Sequence, residues 1–358
     1  MRSAYYCFGA STAIGIRPDN LGNPDLGWET TQSINIGLDF MALKNRISGE
    51  INGYKANTKN VLVRQSLPGS TGFSSIWSNI GQLDNKGIEL ELSTVNLEGQ
   101  LRWESRFVFS LNRDKIVDLY GDDTDDIGNS WFIGHPITAI YDYKRAGGVW
   151  TEEELFSGNI HEKFNPGQFR LEDVDGDNQI TPDKDRQIVG YRTPNYRFSI
   201  SNSFYYKNFS LSFLLNSIQG GNGYFIQNNR GLLEATSDYD YAVRINMPSI
   251  KTPWTPFNGV DDAPAVYNYP PVASGYYQDR SFVRLQDVSL TYRFNQNVLN
   301  RLHLQGLQIY LSGKNLYTWT KWQGYDPEGG VSESYGGGFN SSTDMQMRNL
   351  ILGIRVTL

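Results

Sequence analysis

The end of this chain constrains it most. Leu350, Leu352, Ile354, Val356 and Leu358 take every second position, and Asn349, Gly353, Arg355 and Thr357 fill most of the others. A side-chain period of two belongs to a strand with one apolar face. The pattern recurs upstream. Ile34, Ile36, Leu38 and Phe40 alternate with Ser33, Asn35 and Asp39, and Ile47 and Ile51 follow a Lys44-Asn45 turn. Ile88, Leu90 and Leu92 face away from Glu89, Glu91 and Ser93. After the turn Asn96-Leu97-Glu98-Gly99, Leu101, Trp103, Phe107, Phe109 and Leu111 face away from Arg102, Glu104, Arg106 and Ser110. Phe198, Ile200 and Phe204 precede a Lys207-Asn208 turn and then Phe209, Leu211, Phe213 and Leu215. Val288, Leu290, Tyr292 and Phe294 precede Leu307, Ile309 and Leu311.

The gaps between these stretches alternate short and long. Strands of about 9–11 residues, with short turns at one end and long loops at the other, predict an all-β fold: a transmembrane antiparallel β-barrel. The long loops are expected at about 58–80, 113–193, 220–281 and 320–346 and face outward, with the short turns on the periplasmic side. A soluble β-sandwich also alternates, but its strands are nearer five or six residues and its loops follow no such order. Charged rows such as Glu89 and Glu91, or Arg102, Glu104 and Arg106, suit a watery lumen. Two aromatic girdles are expected: Phe40, Trp103, Tyr205, Phe209 and Phe294 at the short-turn end, and Tyr54, Trp77, Tyr317 and Trp319 at the other.

Composition excludes several classes. A net charge of −6 without a basic cluster argues against a nucleic-acid partner. The single cysteine, Cys7, rules out a disulfide framework and a cysteine zinc site. No run of 18 apolar residues is present, so no transmembrane helix is expected. Met1 to Tyr6 show no basic region followed by an apolar core, so no signal peptide is read there and the natural start is expected upstream. About nine strands can be traced, whereas bacterial single-chain barrels have even numbers and an open edge in lipid costs several kcal/mol per unsatisfied group. Either a strand near residues 4–16 escapes the pattern, or the chain is part of a larger barrel.

Particular blocks carry a resemblance. They are Asn23-Pro24-Asp25-Leu26-Gly27-Trp28-Glu29-Thr30-Thr31, Leu67-Pro68-Gly69-Ser70-Thr71-Gly72-Phe73, Asn79-Ile80-Gly81, Asn85-Lys86-Gly87-Ile88-Glu89-Leu90, Asp185-Arg186-Gln187-Ile188-Val189-Gly190, Ser312-Gly313-Lys314-Asn315-Leu316 and Gly324-Tyr325-Asp326-Pro327-Glu328. In this order they resemble the SusC/RagA family of TonB-linked outer-membrane proteins, over essentially the whole chain. The resemblance implies that residues 1–358 form the C-terminal part of a 22-stranded barrel, about the size known for plugged outer-membrane transporters. It implies that the plug, the TonB-contact segment and the first strands lie outside this chain. It further implies active import across the outer membrane, driven through the TonB complex, with a SusD-like surface lipoprotein as lid. The ligand would be an oligosaccharide or, alternatively, a peptide. One departure is the last residue: Leu358 stands where such barrels commonly end in an aromatic.

The sharpest local chemistry is Asp173-Val174-Asp175-Gly176-Asp177-Asn178-Gln179-Ile180. Carboxylates at alternate positions, followed by the Gln179 carbonyl, suit a structural Ca²⁺ ion. Asn178 tolerates the left-handed turn, Ile180 can pin the loop to a core, Lys184 is a mismatch at the closing position, and Asp185 could close the site. The long loops also carry rings that could stack on a sugar, with Trp131, Trp150, Trp254 and Tyr276 as substrate-binding candidates, although loops of this length need small cores of their own. His135, His161 and His303 are isolated and no nucleophile elbow or phosphate loop occurs, so no catalytic residue is expected. Two competing readings share features: a secreted, calcium-stabilised carbohydrate-binding or hydrolytic β-protein, and a passive porin or adhesin barrel.

Overall fold

The computed structural model describes residues 2–8, 11–17, 21–67, 69–73, 75–121, 123–224, 254–258, 272, 277–322, 326–328 and 346–358. Nine strands form one sheet: β1 (Thr30–Ala42), β2 (Ile47–Lys59), β3 (Gln82–Leu97), β4 (Leu101–Asp118), β5 (Tyr196–Tyr206), β6 (Phe209–Gln219), β7 (Phe282–Arg293), β8 (Gly306–Thr320) and β9 (Asn349–Thr357). Neighbours in the sheet follow chain order throughout, so it is an up-and-down meander with β1 and β9 at its edges. Every pair from β4 to β9 is antiparallel.

Register turns the sequence alternation into two faces. Leu352, Leu311, Leu290, Leu211, Phe204 and Trp103 stand directly opposite one another across six neighbouring strands. The next row toward the short turns is Ile354, Ile309, Tyr292, Phe209, Tyr206 and Leu101. Toward the long loops, Tyr317, Leu285, Leu215, Ile200 and Phe107 form another. The opposite face reads Ser312, Ser289, Ser212, Ser203 and Glu104. A one-residue slip in any strand would exchange the faces, so the whole-sheet alignment is strongly specified. Apolar pairs of this kind contribute about 0.2–1 kcal/mol each within the sheet. The leucines of the first row stay open to the surroundings: Leu211, Leu290, Leu311 and Leu352 are all exposed, while Phe204 and Trp103 are half-buried.

A bulge in β7 between Leu285 and Asp287 keeps both faces in phase on its two sides. Two aromatic rings lie over glycines across the sheet, Tyr310 on Gly353 and Tyr54 on Gly87, where a Cβ would collide with the ring.

The expected girdles need three corrections. Tyr205 pairs with Ser210 and Arg102 on the polar face, and Tyr206 takes its place in the apolar row. Tyr54 donates its hydroxyl to Asn112 Oδ1 at 2.9 Å, again on the polar face. Trp77 belongs to a hairpin outside the sheet. At the long-loop end Tyr317 and Trp319 are both exposed and pack edge to face, 4.8 Å between centroids.

The chain divides into two compact units. The first comprises residues 1–38, 51–88 and 112–138. It holds two small hairpins, Arg2–Phe8 with Ser11–Arg17 and Leu62–Ser66 with Ser75–Asn79. Asn79 ties its loops together, accepting from Gly27 N at 2.6 Å and donating to the carbonyls of Gly27 and Asn60 at 3.0 Å each. The second comprises residues 39–50, 89–111 and 139–358. The long connection after β4 carries strands Ala139–Tyr143, Arg145–Val149, Phe169–Leu171 and Arg186–Tyr191, and a helix α1 (Glu152–Ser157) closed by a Thr151/Glu154 capping box. The turn between β7 and β8 also contains a helix, α2 (Gln296–Leu302), capped by Asn295.

Candidate functional site

The segment between Ala139 and Tyr191, within the second unit, gathers two strand pairs and a helix around one core. Strand Arg186–Tyr191 pairs with Ala139–Tyr143, and Phe169–Leu171 with Arg145–Val149. Between them Tyr143, Trp150, Ile160, Phe164, Leu171 and Ile180 form a hydrophobic core, with Val272 packed against it. Trp150 is 6% exposed. Its ring meets His161 edge to face at 4.9 Å and carries the Arg170 guanidinium at 5.1 Å. Arg170 in turn bonds the Val149 carbonyl at 3.0 Å and pairs with Glu154 at 2.8 Å. Burial pushes the pKa of the Tyr143 hydroxyl up from its ordinary value, against the nearby positive charge of Arg186.

The acidic loop sits on this core through Ile180. Ligand oxygens of Asp173, Asp175 and Asp177 lie within 4.8 Å of one another. The curl that gathers them is made by the side chains themselves. Asp173 accepts from Gly176 N and Asn178 N at 2.7 Å each, and Asp177 Oδ1 accepts from Gln179 N at 2.9 Å. Gly176 and Asn178 both take left-handed backbone, φ 73° and 65°.

Lys184, the mismatch in the sequence pattern, places its ammonium 2.7 Å from both Asp175 and Asp177. Hydrogen bonds to these carboxylates raise the Lys184 pKa, and the Lys184 bond holds Asp177 below the usual carboxylate range. The pair therefore persists at neutral pH and is lost as pH falls through the lowered Asp177 value. Asp185 does different work. It is 0% exposed, and its oxygens accept from Val174 N at 2.9 Å and Thr181 N at 2.7 Å, so it staples the loop from inside.

The ring candidates separate. Trp150 is a core residue of the second unit. Trp131 belongs to the first, half-buried, with its backbone bridged to Asp126 in both directions at 2.9 Å. Trp254 is half-buried, and Tyr276 lies outside the described residues. Rings left open outside the nine-stranded sheet, among the described residues, include Trp28, Trp77, Phe156 and Phe257, and none of these stood among the ring candidates. Nothing in the local sequence pattern marks a ring as exposed; that depends on which neighbours fold over it.

The family model for "TonB dependent receptor-like, beta-barrel" matches residues 4–316. TonB-dependent receptor P26 of Formosa agariphila is 31% identical over 94% of this chain and 35% of its own length. TonB-dependent receptor SusC of Bacteroides thetaiotaomicron is 25% identical over 91% of this chain and 32% of its own length. The chain thus spans about a third of the length of these curated relatives. Among solved structures, the RagAB peptide importer in its "open-open" state superposes with a TM-score of 0.71, at 25% identity, over 100% of this chain and 38% of that one.

Proposed function

Since the chain belongs to the TonB-dependent receptor-like β-barrel family, we propose that it forms the C-terminal part of the wall of an outer-membrane importer of SusC/RagA type. The family is one of receptors and transporters, not enzymes. The observation that carries the reading is the two-faced sheet. A row of six apolar residues runs from Leu352 to Trp103 on one face, with its four leucines exposed, and a row of hydroxyls from Ser312 to Ser203 lies on the other. Hydrocarbon suits the first and a watery lumen the second. Uptake would draw on the TonB complex, acting through a plug, with a SusD-like lipoprotein over the loops.

Oligosaccharide is the proposed ligand class. Sugar rings stack on open aromatic faces such as Trp77 and Phe257. Peptide is the second reading, favoured by the likeness to the RagAB peptide importer. Cells carrying the full-length receptor and its lid should accumulate a fluorescent oligosaccharide pool, and an uncoupler should abolish the accumulation. Accumulation of a labelled peptide pool in its place would select the second reading; entry of either pool despite the uncoupler would indicate a passive pore.

The loop Asp173–Asp177 is proposed to hold a hard divalent cation such as Ca²⁺ once Lys184 swings out. The gathered carboxylates support this, with the Gln179 carbonyl as a further oxygen. Asp185 would stay a staple. Lys184→Ala should then tighten Ca²⁺ binding measured by calorimetry. Equal affinity in both proteins, or none in either, would remove the metal from the account.

A further inference from the structure

At its long-loop end, the polar face of β7 carries a buried cation. Arg284 is 2% exposed. Its Nη2 pairs with Asp326 and its Nη1 with Glu328, each at 2.8 Å. Its Nε donates to Thr318 Oγ1 at 3.0 Å, on the residue directly opposite in β8. The guanidinium lies 4.8 Å over the Phe282 ring. Asp326 is held in turn, accepting from Glu328 N at 2.8 Å.

A second arginine grips the residue between the two acids: Arg280 Nε donates to the Pro327 carbonyl at 2.7 Å. Gly223 leaves the space this needs, since a Cβ there would meet the Arg280 side chain. Upstream, Thr320 donates to Ser281 O at 2.8 Å and accepts from Trp322 N at 3.0 Å, which brings buried Trp322 down beside the strand.

An arginine buried this far is a poor source of stability. Its desolvation roughly cancels the attraction of its partners, and an apolar replacement of the whole cluster is often neutral. What a planar fork with two acceptors supplies is direction. We propose that Arg284 is a positioning residue: it straps Asp326-Pro327-Glu328 onto the polar face of the sheet and so sets where these three residues stand toward ligand. The ligand clause rests on the import reading; the strap itself does not.

The test uses the full-length receptor on intact cells, with three variants: Arg284→Met, Arg284→Lys, and the triple change Arg284→Met/Asp326→Asn/Glu328→Gln, which removes the Arg284 charge together with those of its two carboxylate partners. Trypsin cleavage after exposed Lys321 reports the strap, heat-modifiable migration reports the barrel, and uptake of the labelled oligosaccharide and peptide pools reports ligand. The Arg284→Met change should speed cleavage on the order of tenfold, and Arg284→Lys by less. The triple variant should migrate as a normal barrel and still be cleaved fast, with reduced uptake of the pool that the wild type imports. Wild-type cleavage in Arg284→Met, or full protection in the triple variant, would overturn the strap. Fast cleavage with unchanged uptake would overturn its role in ligand binding. Import of neither pool by the wild type would count against the import reading, while the trypsin result still decides the strap.

Discussion

Leu290→Arg should cost about 2–4 kcal/mol of stability in a bilayer and sharply reduce insertion. Leu290 stands between Leu211 and Leu311 in the middle of the apolar row, and its side chain is exposed. A guanidinium there must stay in hydrocarbon or drag water into it. The adjacent change Ser289→Arg places the same charge one residue away, between Ser212 and Ser312 on the polar face. There it should cost less than about 1 kcal/mol, as an ordinary surface substitution does. Urea unfolding of the full-length receptor in lipid vesicles measures both. Equal costs would mean that the two faces do not see different solvents.

Trp150→Ala should cost about 3–5 kcal/mol, felt mainly in the segment between Ala139 and Tyr191. The indole fills the middle of the core between Tyr143, Ile160, Phe164 and Leu171, and its removal also strands the Arg170–Glu154 pair that braces α1. Hydrogen exchange should show this segment opening early while β4 to β9 keep their protection. Trp150→Phe should restore most of the order. Loss of ligand uptake with undisturbed exchange in Trp150→Ala would instead make the indole a ligand contact.

The strands were legible because alternation survives wherever one face of a sheet meets an apolar solvent. The row ending in Val356 lies in β9 as a strand, and the Lys44-Asn45 and Lys207-Asn208 turns are hairpins whose Lys44, Asn45 and Lys207 take positive φ. The family blocks were legible because they hold side chains with specific loop contacts; the Asn79 amide bonding Gly27 and Asn60 is one such place. Within the acidic loop, the left-handed Asn178 and the buried Ile180 follow from residue type alone.

The parts that were not legible depend on partners far away in sequence. Period-two reasoning assigns Tyr205 by its position at a strand end, but the face it takes follows from the parity set by Phe204. Arg284 sits one residue before the β7 bulge, a register shift that neither residue type nor spacing announces. The burial of Asp185 could have been suspected from Thr181 four residues earlier, since a short polar side chain beside a turn commonly caps it.

A barrel wall requires that the leucine face of the sheet, and not the serine face, meet lipid. In a cysteine-free background of the full-length receptor in outer-membrane vesicles, which includes Cys7→Ser, spin labels at positions 211, 290 and 311 should be relaxed by oxygen and shielded from a water-soluble nickel chelate. Labels at positions 212, 289 and 312 should show the reverse. Nickel access to both sets alike, or an inverted pattern, would contradict the barrel wall proposed here.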